Sequence, residues 1–94
     1  MQKRTVRVGR PRGAKTFDEG VAIAVGIALR EKRLALGIAQ EALAALAQVE
    51  RSHMGKIERG EHLPSLTMLL RLSTALDERP GSLIDRVQAL LEGK

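Results

Sequence analysis

The chain has 94 residues, 44% of them hydrophobic, which is enough for one compact domain and little more. It contains no Cys, Trp or Tyr and a single Phe. Disulfide frameworks, thiolate metal sites and cysteine nucleophiles are therefore excluded, and a reducing, cytoplasmic setting is expected.

The formal charge of +5 is unevenly placed. Residues 1–15 hold Lys3, Arg4, Arg7, Arg10, Arg12 and Lys15 and no acid, so the other ten of the 16 bases face all 11 acids. Gly9, Pro11 and Gly13 lie among these cations without apolar periodicity. The expectation is a disordered basic arm over residues 1–16 ahead of one domain over residues 17–94. Such an arm attracts polyanions, either nucleic acid or an anionic surface.

A basic start followed by the apolar run Val21–Leu29 has the outline of a signal peptide. However, Asp18 and Glu19 interrupt the approach, and Arg30-Glu31-Lys32-Arg33 stands where a cleavage site would lie. The run is also far shorter than the roughly 20 residues a membrane span needs. It reads as a buried helix, and no membrane partner is expected.

That first helix is predicted from Phe17 or Val21 to Leu36, with Val21, Val25, Ala28, Leu29 and Leu36 inward and Gly37 as its C-cap. A short Ala- and Leu-rich second helix runs from Gln40 to Ala47, and Gln48-Val49 breaks it. The third runs from Glu50 or Arg51 to Arg59 and stops at Gly60. Ser65 caps a fourth helix reaching Leu76, with Leu66, Leu69, Leu70, Leu72 and Leu76 inward. Pro80 suits the first position of a fifth, which carries Leu83, Ile84, Val87, Leu90 and Leu91. This is more apolar surface than a terminal helix needs, and pairing with a second copy to form a homodimer is expected. No stretch reads as a strand, so the fold class is all-α.

Two short helices separated by a three- or four-residue break, flanked by longer ones, form the layout of a helix-turn-helix. The major groove, about 12 Å wide, admits one helix, and a second must brace it. Arg51, Ser52, His53 and Lys56 project from the first turns of the third helix, where Arg and Lys can donate to guanine and Ser or His can reach bases or phosphates.

Leu29 to Leu76 also resembles the XRE or Cro/repressor-type family, whose five-helix domain is lambda-repressor-like. The resemblance rests on Arg33 and Gly37, on Gln40-Glu41-Ala42-Leu43-Ala44, on Val49, on Ile57-Glu58-Arg59-Gly60, on Pro64-Ser65-Leu66 and on Leu72 and Ala75-Leu76. It implies a transcription regulator that binds double-stranded DNA without a cofactor. Gln40 would bind a phosphate, Arg51, Ser52 and Lys56 would occupy base-reading positions, and Arg33 and Glu58 would form an ion pair tying the first helix to the third. The chain departs from the family at Ala39 and Glu50, where Ser or Thr is usual, and at Gln48, where Gly is usual. Each missing cap costs about 1 kcal/mol, and Gly55 within the third helix costs about as much again relative to Ala. In the arm, Gly9-Arg10-Pro11-Arg12-Gly13 resembles the core of an AT-hook, which would place Arg10 and Arg12 in a narrow minor groove. Val8 stands where that motif normally has a base.

No Ser/His/acid set sits on a credible catalytic scaffold, so no enzymatic activity is expected. His53 and His62 lie nine residues apart with no third ligand, a poor metal site, and a surface or phosphate-contacting role is expected. Beside sequence-specific regulation stand two other readings. One is an antitoxin-like protein-interaction module that also binds its own promoter. The other is a non-specific architectural protein dominated by the arm.

Overall fold

The computed structural model of the chain describes residues 17–93, and the expectations placed on residues 1–16, Arg10 and Arg12 among them, lie outside the described residues. Five helices follow one another: α1 (Glu19–Ala35), α2 (Gln40–Ala47), α3 (Arg51–Glu58), α4 (Leu66–Ala75) and α5 (Pro80–Leu91). Among the described residues there is no strand, so the domain is all-α.

Local chemistry sets the ends. The Asp18 carboxylate accepts from the Val21 amide at 3.0 Å and starts α1 between the two positions the sequence suggests. Glu19 in the first turn and Lys32 and Arg33 in the last complement the helix dipole. The Ser65 hydroxyl accepts from the Met68 amide at 3.1 Å and opens α4. Pro80, with φ already fixed near the helical value, opens α5. Gly37 and Gly60 follow α1 and α3 in the left-handed region, at φ +70° and +76°. Gln48 takes the same region at φ 58° and turns the chain between α2 and α3. A non-glycine residue there carries strain of about 1 kcal/mol or more.

Leu29, Leu43, Met54, Ile57, Leu72 and Leu76 are fully buried and form the centre of the core, with Ala24, Val25, Ala28, Ala44, Val49, Leu83 and Val87 around them. α1 packs on α5 and α3, and α2 packs on α3 and α4. The α2–α3 pair is thus held between α1 on one side and α4 on the other.

Three leucines expected inward are exposed instead: Leu36 (44%), Leu66 (67%) and Leu70 (43%). Leu66 and Leu70 are four residues apart on one face of α4, while Leu72 and Leu76 share another and fill the core. The neighbouring helices cover only the second face. On α5, Leu83 and Val87 are buried, whereas Ile84 and Leu91 face outward.

Gly26 determines how closely α1 approaches α3. A Cβ there would lie 2.5 Å from the Glu58 carbonyl oxygen and 2.6 Å from that of Ile57. The bare backbone of α1 therefore rests on the C-terminal turn of α3. Beside it, a Cβ on Gly60 would meet the Ile23 side chain at 2.8 Å. Arg86 donates to the Glu31 carboxylate at 2.8 and 2.9 Å and links α5 to α1 on the outside. Both partners are exposed, so this link adds little. No helix among the described residues is long and apolar enough to cross a membrane.

Candidate nucleic-acid interface

α3 divides sharply into two sides. Met54 and Ile57 are fully buried, and Gly55 and Glu58 are buried with them. Arg51, Ser52, Lys56 and Arg59 are exposed and, together with Gln40 and Gly55, border one open concavity. The structure therefore brings Gln40, Arg51, Ser52 and Lys56 onto one surface. Arg59 joins them although it was singled out only as part of the helix end. Its position eight residues after Arg51 and three after Lys56 places it on the same face, a spacing legible in the sequence.

The cations are loosely tethered. Arg51 lies 3.9 Å from Glu41, with both side chains mostly exposed, and Arg59 donates to Glu61 at 2.8 and 3.3 Å. Exposed pairs of this kind contribute between nothing and about 1 kcal/mol, so a polyanion can displace them. Ser52 donates its hydroxyl to the Glu50 carboxylate. Neither Ala39 nor Glu50 makes a side-chain capping bond to α2 or α3.

Beneath this surface runs a buried polar network. Arg33 donates from Nε to Glu58 Oε2 at 2.7 Å and from Nη2 to Oε1 at 2.9 Å, a bidentate pair. Arg33 Nη1 donates to the Ile38 carbonyl at 2.8 Å. Gln40 Nε2 donates to Glu58 Oε1 at 3.1 Å. The end of α1, the α1–α2 loop, the first residue of α2 and the last of α3 therefore meet at one carboxylate. Hydrogen bonding to Glu58 raises the Arg33 pKa against the opposing effect of burial. Gln40 thus serves the network with one amide hydrogen, and the rest of its amide remains at the rim of the concavity.

His53 lies at the edge of the exposed face, and the fold brings His62 to it: Nδ1 of His62 is 3.2 Å from Nε2 of His53, with ring centroids 4.4 Å apart in an edge-on arrangement. Burial lowers the His53 pKa first, the neighbouring His62 and Lys56 lower it further, and Glu50 opposes them. Nothing in the sequence foretold this contact across the α3–α4 loop. Among the described residues, no three His, Cys, Asp or Glu side chains converge as metal ligands do.

A short helix with a buried apolar side and an exposed cationic side, braced by a second helix across a tight turn, defines a DNA-binding helix-turn-helix. Residues 29–83 match the HTH_3 helix-turn-helix family, and the chain belongs to it. Its class is that of DNA-binding transcription regulators, not of enzymes. Among solved structures, the restriction-modification controller protein C.AhdI from Aeromonas hydrophila is 45% identical, with a TM-score of 0.64 over 66% of this chain and 94% of that one. The clp gene regulator ClgR from Corynebacterium glutamicum shares the fold at 24% identity, with a TM-score of 0.74 over 77% of each chain. The restriction-modification controller protein C.Esp1396I shares it at 20% identity, with a TM-score of 0.68 over 73% of this chain and 88% of that one. No curated protein matches the sequence.

Proposed function

We propose that this protein is a sequence-specific regulator that lays α3 in the major groove, with Arg51, Ser52 and Lys56 toward base edges and Gln40 and His53 toward the flanking phosphates. The observation that carries this reading is the division of α3 into a buried apolar side and an exposed side where Arg51, Ser52 and Lys56 converge with Gln40. The likeness to C.AhdI, at 45% identity over 94% of that chain, supports a controller of the restriction-modification kind. Action as a homodimer on two-fold sites is part of the reading, supported by the outward-facing Ile84 and Leu91 of α5.

Selection of bound duplexes from a random pool tests the reading, and variants then locate the readers. Arg51→Ala and Lys56→Ala should each weaken specific binding by about 1–3 kcal/mol and relax preference at particular base pairs. Gln40→Ala should weaken binding evenly across sequences, because phosphates carry no sequence information. Equal, sequence-independent losses from all three would overturn α3 as the reader.

The basic arm is proposed as an electrostatic tether, with Arg10 and Arg12 entering an A·T-rich minor groove. Deleting residues 1–15 removes six cations and leaves ten bases against 11 acids. Each lost phosphate contact should make the slope of log K against log salt shallower by about 0.9, so a change of several units is expected. The loss should be greater on A·T-rich than on G·C-rich flanks. Titrations of full-length and truncated protein at several salt concentrations on both flanks check this. An unchanged slope would reduce the arm to a passive tail.

A further inference from the structure

His53 and His62 are the only side chains in this cysteine-free sequence that ordinarily change charge between pH 5 and 8. One sits on α3 and the other on the loop that follows, with their ring nitrogens 3.2 Å apart. In the neutral pair one ring donates and the other accepts, so a single proton occupies the gap.

The position of the pair is informative. At 3.6 residues per turn, Lys56 lies between Ser52 and His53 around α3. His53 therefore forms one border of the exposed face, and Gln40 flanks the other, beside Gly55. A helix lying in the major groove has a sugar-phosphate strand on each side. In the placement of α3 proposed above, Gln40 would border one strand and the histidine pair the other. A cleft bounded by Gln48, Glu50, Ser52, His53, Lys56 and Met68 opens at this second border.

We propose that His53 and His62 form a proton-dependent seat for a DNA backbone phosphate, so that binding DNA takes up a proton. This rests on the placement of α3 proposed above. Besides His62, the charged groups acting on His53 are Lys56 on α3 and Glu50 in the turn before it, while Met68 of α4 lines the same cleft. In the free protein, burial, the neighbouring His62 and Lys56 hold His53 below its ordinary value, and the Glu50 carboxylate only partly compensates. A phosphate adds negative charge and accepts N–H bonds, and both favour the charged imidazole. Between the free and bound titration points the complex holds a proton that the free protein lacks, so affinity rises as pH falls through that window and levels off above it. The uptake is one proton. A second would abolish the N–H···N bond and set two cations 3.2 Å apart.

The full-length protein, titrated between pH 5.5 and 8 at constant salt against its selected duplex and an unrelated duplex of equal length, provides the test. Wild-type affinity should rise toward about tenfold per unit fall in pH on both duplexes. His62→Gln should flatten that slope and leave the ratio between the duplexes unchanged. His62 is exposed and lies outside the helices, so folding is not at stake. The NMR titration of the His53 imidazole should move upward when duplex is added. A wild-type slope surviving in the His53→Gln/His62→Gln double variant would overturn the proposal, as would a His53 ring titration that DNA leaves unmoved. Failure of α3 as the reader is separately visible, as an unchanged duplex ratio in Arg51→Ala.

Discussion

Gly26→Ala should destabilise the domain by about 3 kcal/mol or more, although alanine is the better helix former by about 1 kcal/mol. The added Cβ would lie 2.5 and 2.6 Å from two backbone carbonyl oxygens and 2.9 Å from the Glu58 carbonyl carbon. None of these is the end of a flexible side chain, so α1 and the last turn of α3 must separate. That separation opens the packing of Ala22, Val25 and Leu29 and tilts the helix that carries Arg51 and Lys56. Gly81→Ala is the control. A Cβ at Gly81 meets nothing within 4 Å, so that substitution should be neutral or add up to about 1 kcal/mol. Chemical denaturation of both variants decides the matter. A Gly26→Ala protein as stable as the parent would show that the close approach of α1 to α3 is not maintained.

The second large effect falls on Arg33 and Glu58. Both residues are 8% exposed, and every polar atom of the pair that is buried has a partner. Removing either strands a charge away from water, at a cost of about 3–5 kcal/mol. Glu58→Ala should be the more disruptive for DNA binding, because the same carboxylate also holds Gln40. Arg33→Met with Glu58→Leu removes both charges and retains volume, and should cost much less than the sum of the single changes. A double-mutant cycle measures the coupling. Strictly additive losses would mean that the two side chains do not depend on each other.

Much of this was legible in the sequence, because short-range chemistry sets helix ends. Gly37 and Gly60 supply positive φ, Ser65 a capping oxygen and Pro80 a fixed φ, and each marks its boundary within a residue or two. The family pattern supplied the Arg33–Glu58 pair, which the structure places at hydrogen-bond distance. What the sequence obscured depends on contacts between distant segments. Leucines occupy two faces of α4, and periodicity alone does not say which one the core covers, so Leu66 and Leu70 were misplaced. Leu36 lies past the last turn of α1, where the interior ends. Gly26 reads as an indifferent glycine in an apolar run until α3 is laid across it. The meeting of His53 and His62 depends on the path of the α3–α4 loop, which no spacing rule gives.

Beyond the core side chains Met54 and Ile57, the anchors of α3 sit at its C-terminal end: the Gly26 crossing, the Glu58 network and the tight fit of Gly60 against Ile23. The residues offered outward, Arg51, Ser52 and Lys56, are exposed, and no buried network uses them. On the proposed reading, holding the helix and reading with it are therefore separate tasks given to separate side chains. Positions 51, 52 and 56 can be rewritten without disturbing what keeps the domain folded, so, if they read DNA as proposed, one scaffold could be retargeted from site to site while its anchor stays unchanged. A substitution at Gly26, Arg33 or Glu58 has no such freedom, because it alters the platform that every alternative reading face would share.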